Sequence, residues 1–240
     1  MEGVERISAG DDENQVVVDG NGLGDLGVER DMLIVMSKLK KYIRDRSGMN
    51  CSDAVADVLS DHVRALCEGG VALVQVRAKG IDDREVLELL VCALAECARF
   101  DVPLLVNDRA DLCAASGVDG LHVGQTDLPA HLARRFVGRE VLVGTSTHTR
   151  AQAGVVARDP SNDYLAVGPV YASPTKVGHA PIVSTLGLKE VAATTRMPVV
   201  AIGGITDPSR VADVCAAGAH LAAAISALAG SDPHLMARRM

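Results

Sequence analysis

The sequence predicts an α/β protein that folds as a (β/α)8 TIM barrel with a flexible N-terminal extension. Short apolar runs alternate along the chain with stretches in which apolar residues recur at helical spacing. Such alternation favours parallel strands covered by helices, and 240 residues suffice for one barrel. Two turns between a helix and a strand also resemble each other, at 115–120 and at 216–221. These repeated units favour the barrel, while a doubly wound sheet stays open.

Eight apolar runs are the predicted strands. They lie at 33–36, 73–77, 104–107, 120–123, 141–145, 164–167, 199–202 and 221–225. Helical patterns separate them, and Asp82 and Asp207 stand where helix N-caps are expected. Gly117, Gly138 and Gly218 stand near the expected helix ends.

The N-terminal residues 1–30 are polar, acidic and glycine-rich, which predicts a flexible extension before a single catalytic domain over 31–240. A Gly-x-Gly-x-x-Gly pattern occurs at 22–27, but another strand pattern follows it rather than a helix. A glycine-rich linker is therefore favoured over a dinucleotide site. Residues 37–50 are basic and irregular, which indicates a solvated loop or an extra helix.

The composition excludes some classes of partner. A formal net charge of −7 argues against nucleic acid as the main partner. No apolar run approaches membrane-spanning length, and residues 1–15 lack the apolar region of a signal peptide. The six cysteines form no metal-ligand spacing and fit small buried residues of a reducing compartment. We therefore expect a cytoplasmic protein with small-molecule partners, and a homo-oligomer stays open.

Two acids each follow a predicted strand, Asp108 after 104–107 and Asp127 after 120–123. Because the carboxyl ends of barrel strands meet at one face, the two carboxylates can lie together. Mg²⁺ prefers oxygen ligands and is often held by one or two carboxylates plus substrate phosphate oxygens. Either acid could instead be a helix N-cap, but their placement beside basic residues favours a magnesium site.

Basic and small residues at the same strand ends suit phosphate. Gln75, Arg77 and Lys79 alternate, which places all three on one side of a strand. Arg can grip phosphate through two hydrogen bonds and Lys acts as a point charge. Pro174-Thr175-Lys176 and Gly203-Gly204 follow later strands and also suit a phosphate group. His122 and His148 are interpreted as structural or positioning residues, since no nucleophile–base pattern accompanies them.

Seven ordered blocks resemble the thiamine-phosphate synthase (thiamine-phosphate pyrophosphorylase) family. They lie at 74–79, 106–111, 122–129, 144–148, 167–176, 201–206 and 225–227. The resemblance implies a (β/α)8 barrel that joins 4-amino-2-methyl-5-hydroxymethylpyrimidine diphosphate to 4-methyl-5-(2-phosphooxyethyl)thiazole, giving thiamine phosphate and diphosphate. It also implies a transferase in which diphosphate leaves before the thiazole nitrogen attacks.

The same resemblance implies roles for individual residues. Asp108 and Asp127 would bind Mg²⁺, and Arg77, Ser146 and Lys176 would be catalytic. The residues expected to hold the pyrimidine diphosphate are Gln75, Arg77, Lys79, Asn107, Ser146 and Lys176. The residues expected to hold the thiazole phosphate are Ser173, Thr175, Gly204, Ile225 and Ser226.

Some features depart from the family pattern, and other functions stay open. Ala78 stands where the family usually has an acid, and Met36-Ser37-Lys38 stands where it has a Thr-Asp strand end. One alternative is a thiazole tautomerase-like relative, which tends to lack these acids and the Pro-Thr-Lys segment. Others are a non-catalytic phosphate-ligand sensor, and an aldolase or isomerase that would need a Schiff-base lysine inside a strand.

Overall fold

The strands of the protein pair in the order in which they occur along the chain. The computed structural model describes residues 32–37, 52–172, 181–225, 227–228 and 232–240. Within them, strands β1 to β8 are parallel, each pairs with the next, and β8 pairs with β1, so the order closes on itself. The α/β class and the parallel, TIM-like sheet are thus confirmed, and the strand order differs from the reversing order of a doubly wound sheet.

A helix follows every strand among the described residues. The strands are β1 (Met32–Ser37), β2 (Leu73–Arg77), β3 (Leu104–Asn107), β4 (Gly120–Val123), β5 (Leu142–Thr147), β6 (Tyr164–Val167), β7 (Val199–Ile202) and β8 (Leu221–Ala224). The helices are α1 (Ser52–Glu68), α2 (Asp83–Ala98), α3 (Ala110–Ser116), α4 (Ala130–Val137), α5 (Arg150–Val156), α6 (Ser184–Ala192), α7 (Pro208–Ala216) and α8 (Pro233–Arg239).

Alternation along the strands creates two separate apolar layers. Residues that face outward pack against the helices in one large buried cluster, which includes Val74, Val106 and Leu121. Residues that face inward form a smaller inner cluster. The inner cluster consists of Ala72, Leu73, Leu105, Tyr164, Ala166, Val200, Leu221 and Ala223. The inward-facing polar residues nearer the carboxyl ends of the strands follow this cluster along the chain.

The element boundaries agree with the sequence pattern except at a few strand ends. β5 continues to Thr147, two residues beyond the predicted 141–145, and β1 extends one residue each way beyond 33–36. β8 ends at Ala224, so Ile225 follows the strand rather than ending it. The Asp82 and Asp207 carboxylates accept from the N–H groups of Arg84 and Arg210, which confirms both predicted N-caps.

Other expectations concern helix ends, cysteines and the membrane. Gly117 ends α3 in the left-handed conformation, with φ 70°. Cys67, Cys97 and Cys113 are buried, as predicted for small residues of the core. No helix in the described part of the chain is both long and apolar enough to span a bilayer. The expected extension at 1–30, its Gly-x-Gly-x-x-Gly pattern and the basic segment 37–50 lie outside the described residues, apart from Ser37 at the end of β1.

Candidate active site at the carboxyl ends of the strands

A polar layer lies above the inner cluster, at the carboxyl ends of β2 to β5. Gln75 and Arg77 follow Leu73 by two and four residues on β2, so they share its inward face. Asn107 occupies the same face of β3, and it is paired in register with His122 of β4. Five predicted or candidate residues are thereby brought to one end of the barrel. They are Gln75, Arg77, Asn107, His122 and Ser146.

Asp108 follows β3 directly and adopts an unusual backbone conformation. Its φ is +67°, a left-handed value that few residues other than glycine adopt, although Asp is among the more tolerant. The conformation is held by a hydrogen bond from the Asp108 N–H to the His122 carbonyl, 2.7 Å long. The carboxylate lies 2.9 Å from the Lys79 ammonium, so two of the predicted site residues form an ion pair. Such conformations concentrate at functional sites.

The alternative role of Asp108 as a helix cap is wrong. The N-cap of α3 is Arg109, and no side chain caps that helix. Arg109 instead pairs with Asp83 and Asp111, away from the Asp108 carboxylate. The Asp108 carboxylate is therefore not used as a helix cap, and its ion-pair partner is Lys79.

Asp127 reaches the same place from the loop after β4. Its carboxylate accepts a hydrogen bond from the Gly124 N–H, 2.8 Å long, and the N-cap of α4 is Pro129 rather than Asp127. A Cβ at position 124 would lie 2.8 Å from the Asp127 carboxylate oxygen, so Gly124 makes room for this loop. Burial raises the pKa of Asp127, and a hydrogen bond with Asp108 raises it further.

Two neighbouring carboxylates form a place for a cation, and Asp108 is one cause of the raised pKa of Asp127. No group of three or more His, Cys, Asp or Glu side chains suited to a metal is found in the described ranges. Mg²⁺, however, needs only one or two carboxylates when phosphate oxygens complete its shell. Asp108 and Asp127 fit that requirement, and Lys79 partly balances their charge in the free protein.

Three polar side chains of the layer have no partner among the residues that the structure describes. Gln75 is only 2% exposed, yet its amide makes no hydrogen bond to another described residue. The side chains of Arg77 and Asn107 are half-buried, and they too have no hydrogen-bond or ion-pair partner within the described ranges. Buried polar groups normally have partners, because an unpaired one costs about 1–3 kcal/mol. A ligand that supplies those partners would recover this cost.

A chain of hydrogen bonds links this layer to the inner cluster. The Tyr164 hydroxyl lies 2.8 Å from Nδ1 of His122, and Nε2 of His122 lies 2.7 Å from Oγ of Ser146. Burial lowers the pKa of His122 to about 4, which the nearby Asp127 charge only partly opposes. The imidazole is therefore neutral near pH 7.

Sequence reasoning missed Tyr164, which lies 42 residues from His122 and on a strand that does not neighbour β4. A signal for it was present in Gly144, an isolated glycine inside a strand. Such a glycine often marks the close approach of another group. A Cβ at position 144 would lie 1.9 Å from the Tyr164 ring, so the glycine makes room for that ring.

The backbone of the loop after β7 lies close to the loop after β6. Gly203 and Gly204 have φ of 98° and 71°, conformations that L side chains rarely adopt. A Cβ at Gly204 would lie 2.6 Å from the Ala172 carbonyl oxygen. The Arg210 guanidinium donates to the Gly204 carbonyl and lies 4.8 Å from the centre of the Tyr171 ring. The loops after β6 and β7 are therefore held together.

The remaining predicted residues divide into two groups. Ile225 is half-buried and packs against the inner cluster at the end of β8. Four others, Ser173, Thr175, Lys176 and Ser226, lie outside the described residues.

Comparisons with known proteins identify the family of the chain. A sequence model of the family described as thiamine monophosphate synthase matches residues 49–228. A thiamine-phosphate synthase of Leptospira biflexa is 43% identical over 173 residues, which cover 71% of this chain and 82% of that relative. A thiamine-phosphate synthase of Thermobifida fusca is 37% identical over 209 residues, covering 84% and 94%.

A solved structure extends the comparison to the fold. The thiamine phosphate pyrophosphorylase of Pyrococcus furiosus superposes with a TM-score of 0.73 at 23% identity, covering 88% of this chain and 93% of that one. At that identity the likeness shows the fold alone. Because the family match spans well over half of its length, the chain belongs to the thiamine monophosphate synthase family and is a transferase of thiamine biosynthesis.

Proposed function

We propose that the protein catalyses the Mg²⁺-dependent condensation of 4-amino-2-methyl-5-hydroxymethylpyrimidine diphosphate with 4-methyl-5-(2-phosphooxyethyl)thiazole. The products are thiamine phosphate and diphosphate. The observation on which the proposal rests is the pairing of Asp108 with Asp127 beside Lys79, at the carboxyl ends of the strands. When bound there, Mg²⁺ supplies positive charge to the oxygens of the diphosphate leaving group.

The proposed mechanism is dissociative, and the chain contributes charge and orientation to it. Arg77, Lys79 and Lys176 stabilise the departing diphosphate, so the bond between the pyrimidine methylene and its oxygen breaks first. The thiazole nitrogen then attacks the resulting pyrimidine-methyl cation. Gln75, Asn107 and Ser146 orient the pyrimidine diphosphate through neutral hydrogen bonds. No strong general base is required, which agrees with a neutral, buried His122.

The thiazole phosphate is proposed to lie against the loops after β6, β7 and β8. Backbone N–H groups between Gly204 and the start of α7 suit a phosphate, because unpaired N–H groups at the beginning of a helix attract anions. Ser173, Thr175, Ile225 and Ser226 complete this side of the proposed site.

The proposed functional unit is a complete (β/α)8 barrel over residues 31–240, preceded by a flexible extension at 1–30. We propose that it acts in the cytoplasm on these two small molecules. A homo-oligomer is compatible with this proposal, while nucleic acid and membrane are not among the proposed partners.

The test is the formation of thiamine phosphate from the two purified substrates, with Mg²⁺ and with a chelator. We expect product only with the metal, and little product from Asp108→Asn. A matched control is Asp111→Asn, which removes an acid from the next helix whose partner is Arg109. Product formation that survives the chelator, or an Asp108→Asn variant as active as Asp111→Asn, would refute the magnesium assignment. Absence of product with both ligands bound would favour a sensor.

A further inference from the structure

A chain of hydrogen bonds reaches the proposed pyrimidine site from inside the barrel. Tyr164 and His122 are 2% and 5% exposed, so water has little access to either. Their rings are stacked, with centroids 5.7 Å apart and planes 25° apart. The outer end of the chain is Ser146, whose Oγ lies 2.7 Å from Nε2 of His122. Ser146 is the one member that is proposed to touch substrate.

We propose that Tyr164 and His122 are positioning residues that fix the Ser146 hydroxyl as a hydrogen-bond donor to the pyrimidine diphosphate. The inference rests on the proposed function for the identity of that ligand. It goes further by assigning roles to two residues and a direction to each hydrogen bond.

The direction follows from the surroundings of Tyr164. Nδ1 of His122 is the only acceptor that the Tyr164 O–H meets within the described residues, and the ring otherwise belongs to the inner cluster. If Nδ1 carried a proton, the Tyr164 hydroxyl hydrogen would be buried without an acceptor, an unfavourable arrangement. The Tyr164 O–H therefore donates to Nδ1, and the imidazole proton is on Nε2.

This arrangement determines what Ser146 can do. Nε2–H of His122 donates to Oγ of Ser146, so the hydroxyl hydrogen of Ser146 is left for another acceptor. No described residue accepts it. The Gln125 side chain donates to the Ser146 carbonyl oxygen over 2.7 Å, which holds the backbone of the same residue. Ser146 thus presents a donor, which suits a ring nitrogen or a diphosphate oxygen of the pyrimidine substrate.

Gly144 makes the arrangement possible. A Cβ at this position would lie between 1.9 and 2.3 Å from three atoms of the Tyr164 ring. The ring therefore lies flat over the glycine, where its hydroxyl can reach His122. Two residues further along β5, Ser146 faces the same interior.

A double-mutant cycle on kcat tests the proposal. Tyr164→Phe keeps the ring and removes the donor, and we expect kcat to fall about tenfold. In the Ser146→Ala background the same change should alter kcat by less than about twofold, because its effect acts through Ser146. Equal effects of Tyr164→Phe in both backgrounds, or no effect in either, would overturn the proposal. A merely structural role would give additive effects.

Thr147→Val is the matched control for loss of a buried hydrogen bond. Its hydroxyl donates to the Ala166 carbonyl over 2.9 Å, on the same strand but facing the helices. We expect Thr147→Val to leave kcat within about twofold of the parent in both backgrounds. If it lowers kcat as much as Tyr164→Phe does, general loosening of β5 explains both and the proposal fails.

A second measurement is independent of substrate. Nitrogen-15 NMR of the free protein can report which nitrogen of His122 is protonated, with the signal assigned by its loss in His122→Gln and its shift in Tyr164→Phe. We expect the Nε2–H tautomer, and the Nδ1–H tautomer would overturn the proposal. If no thiamine phosphate forms, the proposed function is wrong. The tautomer of His122 still decides the direction of the hydrogen bonds from Tyr164 to Ser146.

Discussion

The two ends of the barrel use polar residues in opposite ways. At the amino end, Asp119 accepts from the Leu104 N–H over 2.8 Å, and Asp163 accepts from the Val143 N–H over 2.7 Å. Asp163 also pairs with Arg134, whose remaining donors reach carbonyl oxygens of nearby loops. Each of these acids ties the start of one strand to its neighbour. Their hydrogen-bonding capacity is used within the protein.

At the carboxyl end, polar groups contact one another or have no partner in the described part of the chain. Asp108 and Asp127 are close enough to raise the pKa of the latter, and the Gln75 amide finds no partner among the described residues although it is buried. Keeping such groups costs stability unless a ligand completes them. Polar residues whose hydrogen-bond partners lie within the protein therefore serve stability in this fold. Those that lack such partners identify where a ligand binds.

The largest effect on stability is expected from Asp163→Ala. The change leaves the Val143 N–H without this acceptor and the part-buried Arg134 guanidinium without its carboxylate partner, and we expect it to lower the free energy of unfolding by about 2 kcal/mol. Urea unfolding measures the loss, and kcat should stay within about twofold of the parent. A large loss of kcat at unchanged stability would contradict the assignment of the amino end to stability alone.

An intermediate effect is expected from Gly204→Ala. The new Cβ would meet the Ala172 carbonyl in a backbone conformation of φ 71°, so the loop has to move. We expect KM for the thiazole phosphate to rise about tenfold, measured by steady-state kinetics.

Gly117→Ala is the control for that change. Gly117 has φ 70° with open space around it, so alanine should cost about 1 kcal/mol of stability through the backbone alone. Its KM for the thiazole phosphate should not change. Equal KM values for the two variants would remove Gly204 from the proposed phosphate site.

The smallest effect is expected from Glu96→Gln, on the outer helices. Glu96 pairs with Arg64 over 2.9 Å, and hydrogen bonds from Arg64 hold the pKa of this carboxyl below its usual range. A lowered folded-state pKa means that the pair stabilises the fold above the unfolded pKa, near 4.3, and that this contribution is lost as the pH falls from there through the folded-state pKa. The difference in urea midpoint between parent and variant should therefore stay constant from pH 7 to about pH 5 and shrink as the pH falls below about 4. A constant difference would show that the ion pair contributes nothing.

The sequence was informative where a strand is buried on both sides. The runs 73–77, 104–107 and 164–167 are apolar almost throughout and end at polar or glycine residues, so their limits match the structure. At β5 the pattern failed because Ser146 and Thr147 stay in the strand while their hydroxyls find partners on β4 and β6. Polar residues at a strand end resemble a loop unless those partners are known.

Some features of the site could be predicted from the sequence and others could not. Asp108, Asp127 and Lys79 could be predicted because each lies at the end of a run that the pattern had already identified. The contact between Tyr164 and His122 joins two strands that do not pair, and its only local trace in the sequence is Gly144, on the strand between them. The left-handed backbone of Asp108 likewise follows from the fold around it.

The most direct test of the account is thiamine phosphate formation measured against Mg²⁺ concentration for the parent, Asp127→Asn and Asp163→Asn. We expect the parent and Asp163→Asn to share one Mg²⁺ dependence. We expect Asp127→Asn to need far more metal or to lose turnover by about a hundredfold, because a ligand to the cation is gone. An Asp127→Asn variant with the parent's Mg²⁺ dependence and kcat would contradict the assignment of the carboxyl end as the catalytic site.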